Sequence, residues 1–352
     1  MKKINILIVI CLMTFALSGC KNSTDKIAKG NGGIYKSTDA GKNFKDINVI
    51  NENNNLSNTS VKSIAINPMN SNVVYIGTVK DGIYKSTDAG KSWIKNKSGF
   101  KNVKKIELDP SNENVIYIIA TLDGESALFK TLDAGINWNK LLAQRNSKNP
   151  TFLDIIIDKK NSNILYASDS TGGVFKSLNS GKEWNTILWS NSPVKSIKID
   201  SQNNQQIYLL TESGEIHSSN NGGASFQEID RKNRIYEVYS IDVSKFEEKV
   251  LYVLTSAGLY LSKDGGLTYA PIETLLPPKN ATANLIITDT KNKNVLYLIA
   301  GKILYKTTNA GKTWEAISLN INWEVKSFLV IDNSIYMGLS KPLKKRNDLF
   351  PF

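Results

Sequence analysis

Hydrophobic and polar positions alternate along most of the chain in short segments of five to eight residues. Typical examples are "VKSIAINP" from Val61 and "VVYIGTV" from Val73, which are rich in Val, Ile and Tyr and are bounded by Asn, Pro, Gly or Asp. This composition and period are typical of β-strands. No apolar period of 3.6 residues persists for more than a turn or two. The pattern therefore predicts an all-β chain.

One phrase returns in these segments. "GIYKSTDAGKNF" begins at Gly33, "GIYKSTDAGKSW" begins at Gly82, and weaker copies begin at Leu128, Gly173, Glu215, Gly258 and Ile303. Every copy contains a glycine at the same place, and these glycines are Gly41, Gly90, Gly135, Gly181, Gly223, Gly266 and Gly311. Successive glycines are 42 to 49 residues apart. A period of this length suits four short strands per repeat, as in a β-propeller blade.

The two ends of the repeat array are offset by half a unit. The first copy has no strand pair before it, whereas the last copy is followed by an extra pair, "VKSFLVID" from Val325 and "SIYMGLS" from Ser334. A closed ring resolves the offset, because these late strands then form the inner half of a blade whose outer half is residues 33–47. Closure also removes exposed sheet edges. We predict a single seven-bladed β-propeller of four-stranded antiparallel blades over residues 33–340.

The repeated phrase follows the pattern Ser/Thr-x-Asp/Asn-x-Gly-x-x-aromatic. Besides the seven glycines, its positions are filled by Ser37, Asp39, Phe44, Ser86, Asp88, Trp93, Asp133, Trp138, Trp184, Phe226, Asp264, Tyr269, Asn309 and Trp314. The pattern resembles the Asp-box, or BNR repeat, of sialidases, sortilin-type ectodomains, xyloglucan-cleaving hydrolases and the photosystem II assembly-factor family. We interpret it as a structural turn, in which Asp accepts turn amides and Gly permits a positive φ. A calcium or sugar role for Asp39 or Asp88 is the alternative.

The N-terminal segment is excluded from the fold. Lys2 and Lys3 precede an apolar run over residues 4–17, which is followed by Leu-Ser-Gly and Cys20. This combination resembles the lipobox of bacterial lipoproteins. The resemblance implies a signal peptide over residues 1–19, a lipidated Cys20 followed by a linker to residue 32, and an extracytoplasmic protein anchored to the membrane of a bacterial cell envelope. An ordinary signal peptide with an incidental cysteine is the alternative.

Composition narrows the classes of chemistry. The formal charge of +12 comes mostly from lysine, and the chain carries no helical basic stretch or nucleic-acid motif. Cys11 lies in the predicted signal peptide, so the mature chain would hold only the lipidated cysteine, with no disulfide partner and no catalytic thiol. His217 is the only histidine. We therefore predict no metal site, no cofactor and no nucleic-acid partner.

A binding site is predicted on the face opposite the boxes, because loops on a rigid scaffold carry most sites. The first strand of four repeats has a lysine at one register, and the connections into the first strands carry aromatic and arginine residues. The predicted ligand-binding residues are Lys62, Lys104, Lys195, Lys326, Trp189, Tyr236, Trp323, Arg145, Arg231 and Arg234. Aromatics beside cations suit an acidic protein surface or an anionic glycan. Solvated strand ends and loop packing are the alternative.

The loops between second and third strands carry acids, namely Asp81, Asp123, Glu125, Asp169 and Glu212. A glycoside hydrolase would need two such carboxylates about 5–10 Å apart. The arginine motif of sialidases and the second propeller of xyloglucan hydrolases are absent from this chain. The simple plan resembles the photosystem II assembly-factor family, which implies a binding role. We therefore predict a membrane-anchored binding or scaffold protein, with a hydrolase as the alternative. The basic and aromatic tail, residues 341–352, could also contact anionic lipid.

Overall fold

The computed structural model describes residues 31–143, 150–229, 237–274 and 283–342. These residues form seven four-stranded antiparallel sheets and one two-stranded ribbon. The predicted seven-bladed, all-β propeller is therefore confirmed. Within the described ranges, no helix has the length and apolar character needed to cross a membrane.

Blade 1 contains strands from both ends of the array, and its strands are β1 (Gly33–Ser37), β2 (Lys45–Asp46), β29 (Glu324–Ile331) and β30 (Ser334–Ser340). The ribbon is formed by β3 (Val49–Asn51) and β4 (Asn54–Asn55). Blade 2 is formed by β5 (Val61–Ile66), β6 (Val74–Thr78), β7 (Ile83–Ser86) and β8 (Ile94–Lys95). Blade 3 is formed by β9 (Lys101–Leu108), β10 (Ile116–Leu122), β11 (Glu125–Thr131) and β12 (Asn139–Ala143).

The remaining four blades repeat the same order along the chain. Blade 4 is formed by β13 (Phe152–Ile157), β14 (Leu165–Asp169), β15 (Gly173–Ser177) and β16 (Asn185–Trp189). Blade 5 is formed by β17 (Val194–Ile199), β18 (Ile207–Thr211), β19 (Ile216–Ser219) and β20 (Gln227–Glu228). Blade 6 is formed by β21 (Val238–Val243), β22 (Leu251–Thr255), β23 (Gly258–Ser262) and β24 (Ala270–Ile272). Blade 7 is formed by β25 (Ala283–Thr288), β26 (Leu296–Ala300), β27 (Ile303–Thr307) and β28 (Glu315–Ser318).

The ring closes within blade 1, as the offset of the repeats predicts. The strand order is β2-β1-β30-β29, and β1 pairs with β30 from Gly33↔Leu339 to Ser37↔Ile335. The box of this blade is also joined to the other chain end, because Ala40 N donates to Asn333 O at 3.2 Å. In blade 2 the same bond lies within one continuous segment, from Ala89 N to Asn72 O at 2.8 Å. The closing blade thus reproduces the contacts of an unbroken blade.

Each box is a hydrogen-bonded turn between the third and fourth strands. In blade 2, Ser86 Oγ donates to Asp88 Oδ1 at 2.7 Å and accepts from Gly90 N at 2.8 Å. Ser92 N donates to the same carboxylate at 2.9 Å. All seven box glycines have φ between 86° and 96°, a region that favours glycine. These bonds are local, so the box fixes the turn.

The box aromatic packs between blades. Trp93 is fully buried, and its indole Nε1 donates to Ile47 O of blade 1 at 2.6 Å. Phe44 of blade 1 packs in a cluster with Tyr297 and Leu304 of blade 7. The hydrophobic core is therefore a ring of layers between neighbouring sheets, and each box contributes to one layer.

A second repeated contact joins successive blades and explains part of the lysine excess. Lys36 Nζ and Tyr336 OH of blade 1 both donate to Ala89 O in the box of blade 2, at 3.2 Å each, and the ammonium lies 4.8 Å from the tyrosine ring centroid. Lysines at the same position donate to the next blade's box carbonyl in three further blades, and they are Lys130, Lys176 and Lys306. We call this contact the Tyr–Lys latch. Each of these lysines joins one blade to the next, so we assign them a structural role.

The box carboxylates predict acid sensitivity. Burial would raise the pKa of Asp88, but hydrogen bonds from Ser92 and Ser86 outweigh it and lower the pKa to about 2. The same balance holds for Asp39 and Asp264, and hydrogen bonds from Asn137 and Thr131 lower the pKa of Asp133 to about 2. Since the unfolded value is about 3.9, this stabilisation is complete above that pH and is lost as the pH falls from about 4 to about 2.

We therefore expect the melting temperature to fall as the pH is lowered from 5 to about 2, measured by circular dichroism. The matched variant changes all four aspartates to asparagine, the residue that boxes of blades 4, 5 and 7 already use in the same bonds. The variant should show a smaller fall. An equal fall in both proteins would contradict a role of the boxes in this pH dependence.

Candidate functional site

The candidate site is the mouth of the central channel on the face opposite the boxes, where the first strands begin. In blades 1, 2 and 5 the pairing of the first strand slips at its second or third residue, which is Lys326, Lys62 or Lys195. In blade 3 the slip spans a segment that includes Lys104. A β-bulge re-aims a side chain locally. The bulge therefore gives all four lysines a shared position at the start of an innermost strand.

Three of these lysines reach to the first strand or loop of a neighbouring blade. Lys62 Nζ donates to Asn102 Oδ1 at 2.9 Å, and Lys104 Nζ donates to Phe152 O at 3.2 Å. Lys195 Nζ lies 3.4 Å from Val238 O. Lys326 is different, because it is more exposed and pairs with Glu324 of its own strand at 2.7 Å. We call these four residues the lysine cluster.

The charges of the cluster act on one another. Burial lowers the pKa of Lys62, and the like charge of Lys326 lowers it further. Burial also lowers the pKa of Lys104, which is lowered further by Lys62 and raised by Glu212. Lys326, Lys62 and Lys104 lie on three successive blades, so they form a continuous cationic arc. An anion placed there would relieve like-charge repulsion between partly desolvated ammonium groups.

The fourth lysine lies further around the ring. Burial lowers the pKa of Lys195, whereas the negative charges of Glu212 and Glu237 raise it. Glu212 thus acts on both Lys104 and Lys195, and it bounds the cationic arc on the side of blade 5. The mouth is therefore asymmetric in charge.

The predicted aromatic and arginine residues do not all join the cluster. Trp189 is 64% exposed but ends the outermost strand of blade 4, three strand spacings or about 14 Å from the innermost strand. Its ring packs edge-on against Phe175. Trp323 is half-buried and packs against the cluster of blade 1 and blade 7 core residues. Arg145, Arg231, Arg234 and Tyr236, like Cys20, lie outside the described residues.

The acids of the second-to-third-strand loops differ in their contacts. Asp169 is buried, and its Oδ1 accepts from Thr171 N at 2.8 Å and Gly173 N at 3.0 Å, so it holds the turn. Two others pair with lysines of outer strands, Glu125 with Lys140 at 2.5 Å and Asp81 with Lys95 at 3.9 Å. Asp123 occupies the hairpin turn with φ 49°. Of the five acids, Glu212 is the one that acts on the lysine cluster.

Sequence reasoning missed a buried charge network on the innermost strands. Lys105 Nζ pairs with Asp154 at 2.9 Å, and Asp154 Oδ2 accepts from Ile197 N of blade 5 at 2.9 Å. Lys198 pairs with Asp242 at 3.1 Å in the same way. The inner edge of each blade has no partner strand, so these carboxylates satisfy exposed edge amides. The available signal was the charge in mid-strand in "VKKIELD" and "FLDIIID". Within the described ranges, no group of three or more His, Cys, Asp or Glu residues could hold a metal ion.

Comparisons with solved structures place the fold among known propellers. The GH74 enzyme of Niastella koreensis has a TM-score of 0.59 and 21% identity, and the match covers 73% of this chain and 45% of that one. YCF48 from Cyanidioschyzon merolae has a TM-score of 0.63 and 11% identity over 80% of this chain and 96% of that one. YCF48 bound to D1 peptide gives 0.62 and 12%, over 80% and 94%. At these identities the likeness shows the fold alone.

Sequence comparisons agree with this placement. Vacuolar protein sorting/targeting protein 10 of Sordaria macrospora is 28% identical over 91 residues, which is 24% of this chain. The match spans only 6% of that relative's length. The family model described as sortilin, neurotensin receptor 3, matches residues 32–173, and the DUF6242 beta propeller domain model matches residues 135–324. Because the second match covers more than half of the sequence, the chain belongs to the DUF6242 beta propeller domain family.

Proposed function

We propose that the protein is a non-enzymatic binding module, anchored through a lipidated Cys20 outside the cytoplasmic membrane, whose lysine cluster binds an acidic segment of a partner protein. The observation that carries the proposal is the cationic arc of Lys326, Lys62 and Lys104 on successive blades. Rigid inner strands hold these charges in place, so little side-chain entropy remains to be lost on binding. The short linker predicted after Cys20 would keep the partner close to the membrane.

Two further points favour a protein partner. A propeller of the same fold, YCF48, has been solved with a peptide bound, and this supports peptide binding as a use of the fold. In this chain, the exposed Trp189 lies away from the lysines, so aromatic stacking of sugar rings beside the cations has less support than charge recognition. An acidic segment supplies several carboxylates along one chain, so it can contact cations on adjacent blades.

The test compares two variants that each lose four lysine charges. One changes Lys62, Lys104, Lys195 and Lys326 to glutamine, and the other changes four exposed box lysines on the opposite face, Lys42, Lys91, Lys182 and Lys312. The full chain is titrated with a fluorescein-labelled peptide of eight glutamates, followed by fluorescence anisotropy. We expect the first variant to raise the Kd about tenfold or more at low salt and the second to change it little. Wild-type binding should weaken steeply as salt is raised.

Equal weakening in both variants would contradict the lysine cluster as the site, because it would show only a response to net charge. Binding of a sulfated or carboxylated polysaccharide in place of the peptide, lost in the same variant, would move the partner class to an anionic glycan. The alternative of glycoside hydrolysis predicts new oligosaccharides by mass spectrometry after incubation with plant, animal and bacterial polysaccharides. We expect none, since Asp169 holds its own turn and Glu125 and Asp81 pair with lysines.

A further inference from the structure

One position after the box is apolar in every blade except blade 2. Three residues after the box aromatic, six blades have an apolar residue, and these are Ile47, Leu141, Ile187, Ile229, Ile272 and Ile317. At five interfaces this side chain packs on the box glycine of the next blade. At the interface of blades 7 and 1, the side chains nearest to a methyl group placed on Gly41 are Leu304 and Ile335. A methyl group placed on Gly90 would lie 2.4 Å from Ile47 Cδ1, and one placed on Gly181 would lie 2.6 Å from Leu141 Cδ1. The contact therefore packs neighbouring blades closely against each other near the outside of the ring.

Blade 2 has Asn96 at this position. A methyl group placed on the facing Gly135 would find its nearest side-chain atoms, Asn96 Nδ2 and Trp138 Cζ2, at 3.5 Å. The Asn96 amide donates to Gly135 O at 2.6 Å and accepts from Ser98 N at 2.9 Å, so it is held in place. Ser98 Oγ beside it is buried and has no hydrogen-bond partner among the described residues. At this position the interface between blades 2 and 3 is thus polar and loosely packed, whereas the other interfaces are apolar there.

At the outer rim of the same interface, two exposed positions that are mostly polar in the other blades are occupied by isoleucine. Ile94 is 71% exposed and Ile136 is 80% exposed. The position of Ile94 is filled in the other blades by Lys45, Asn139, Asn185, Gln227, Ala270 and Glu315. The position of Ile136 is filled by Lys42, Lys91, Lys182, Ala224, Leu267 and Lys312. Apolar residues therefore stand outside, and a polar residue stands inside, at this interface.

A groove of about 420 Å³ lies between blades 2 and 3, beside Asn96, Ile94 and Ile136. Tyr75 and Trp138 line it together with the lysines Lys85, Lys95 and Lys97. Lys85 occupies the position of the Tyr–Lys latch, but among the described residues it makes no hydrogen bond to the box of blade 3. Its ammonium lies 5.4 Å from the ring centroid of Tyr75. The Tyr–Lys latch is therefore not formed between blades 2 and 3, and the Lys85 side chain lines the groove instead.

We propose that this groove is a second binding site, which takes a segment of a partner protein carrying a bulky apolar side chain next to carboxylates. The aromatic lining and the two exposed isoleucines would receive the apolar side chain. The carboxylates of the partner would be attracted by three lysines of the lining, Lys85, Lys95 and Lys97. One of them, Lys95, also lies 3.9 Å from the Asp81 carboxylate. The site lies on the outer wall of the ring and is separate from the lysine cluster.

The test selects ligands without assuming their sequence. The immobilised full chain is screened against a phage library of random twelve-residue peptides, and selected peptides are titrated by fluorescence anisotropy. We expect enrichment of sequences with a bulky apolar residue beside Asp or Glu. Asn96→Leu restores the apolar residue that the other blades have at this position and fills the groove, so it should weaken binding at least tenfold while leaving the melting temperature unchanged or higher. Lys85→Gln should weaken binding by a smaller factor.

Matched controls distinguish binding in the groove from nonspecific binding to exposed apolar residues. Ile94→Gln with Ile136→Gln should weaken binding, whereas Leu178→Gln with Leu267→Gln, which removes apolar residues that are 60% and 64% exposed on other blades, should not. The glutamine variant of the lysine cluster should bind the selected peptides as the wild type does. The proposal would be overturned by a selection with no such enrichment, or by peptides that bind the Asn96→Leu and Ile94→Gln/Ile136→Gln variants with wild-type affinity.

Discussion

Replacing Asp242 with alanine is expected to lower the free energy of unfolding by about 3–5 kcal/mol. The carboxylate is buried on the innermost strand of blade 6 and pairs with Lys198 at 3.1 Å and Lys245 at 3.7 Å. It also accepts from the backbone N of Thr288 at 2.9 Å and from its hydroxyl at 2.8 Å. Burial by itself would raise the pKa of Asp242, but the two lysines and these hydrogen bonds lower it well below its usual value. Its removal leaves two cations and one edge amide without their acceptor.

Urea denaturation of the wild type and the variant measures this loss. Asp242→Asn serves as the matched variant, because its amide oxygen can still accept from Thr288 while the charge is gone. We expect the asparagine variant to lose part of the stability that the alanine variant loses. A loss below about 1 kcal/mol in the alanine variant would show that the inner charge network contributes little to holding the blades together.

The second large effect is expected at the closure of the ring. Ile335 in β30 and Ile116 in β10 occupy the same register, one residue before the latch tyrosine, and both are fully buried. Each isoleucine-to-alanine change should cost about 2–5 kcal/mol, because it removes buried methyl groups and leaves a cavity. The two variants should differ in how they open. Strand β1 is held to β30 by hydrogen bonds and packing alone, whereas β10 is joined to both neighbours by hairpins.

Amide hydrogen exchange followed by mass spectrometry tests this difference. In Ile335→Ala, peptides from β1 should exchange well before those of blades 3 to 6, through local opening of the closing blade. In Ile116→Ala, peptides from β1 should keep the protection that they have in the wild type, relative to the rest of the ring. Equal protection of β1 in both variants would show that the closure opens only when the whole ring unfolds.

Local sequence was sufficient for the fold because each blade is built from local contacts. The bond from Ser86 to Asp88 and the bond from Gly90 to Ser86 span four residues or fewer. Such contacts recur with the repeat and can be read from spacing. The closure was also readable, since the seven outer and seven inner strand pairs are offset and only one arrangement leaves no pair without a blade. The shared position of the four lysines of the cluster could be read from the sequence because it also recurs with the repeat.

The sequence by itself determined the strands, the seven boxes, the ring closure and the register of Lys62, Lys104, Lys195 and Lys326. Only the tertiary structure decided which charges meet, because residues from successive blades are separated by some forty positions along the chain. Asp154 meets Ile197, and Glu212 acts on Lys104, through the ring geometry. The groove beside Asn96 likewise exists only where one blade faces the next, since a single polar residue has no meaning until the glycine opposite it is known.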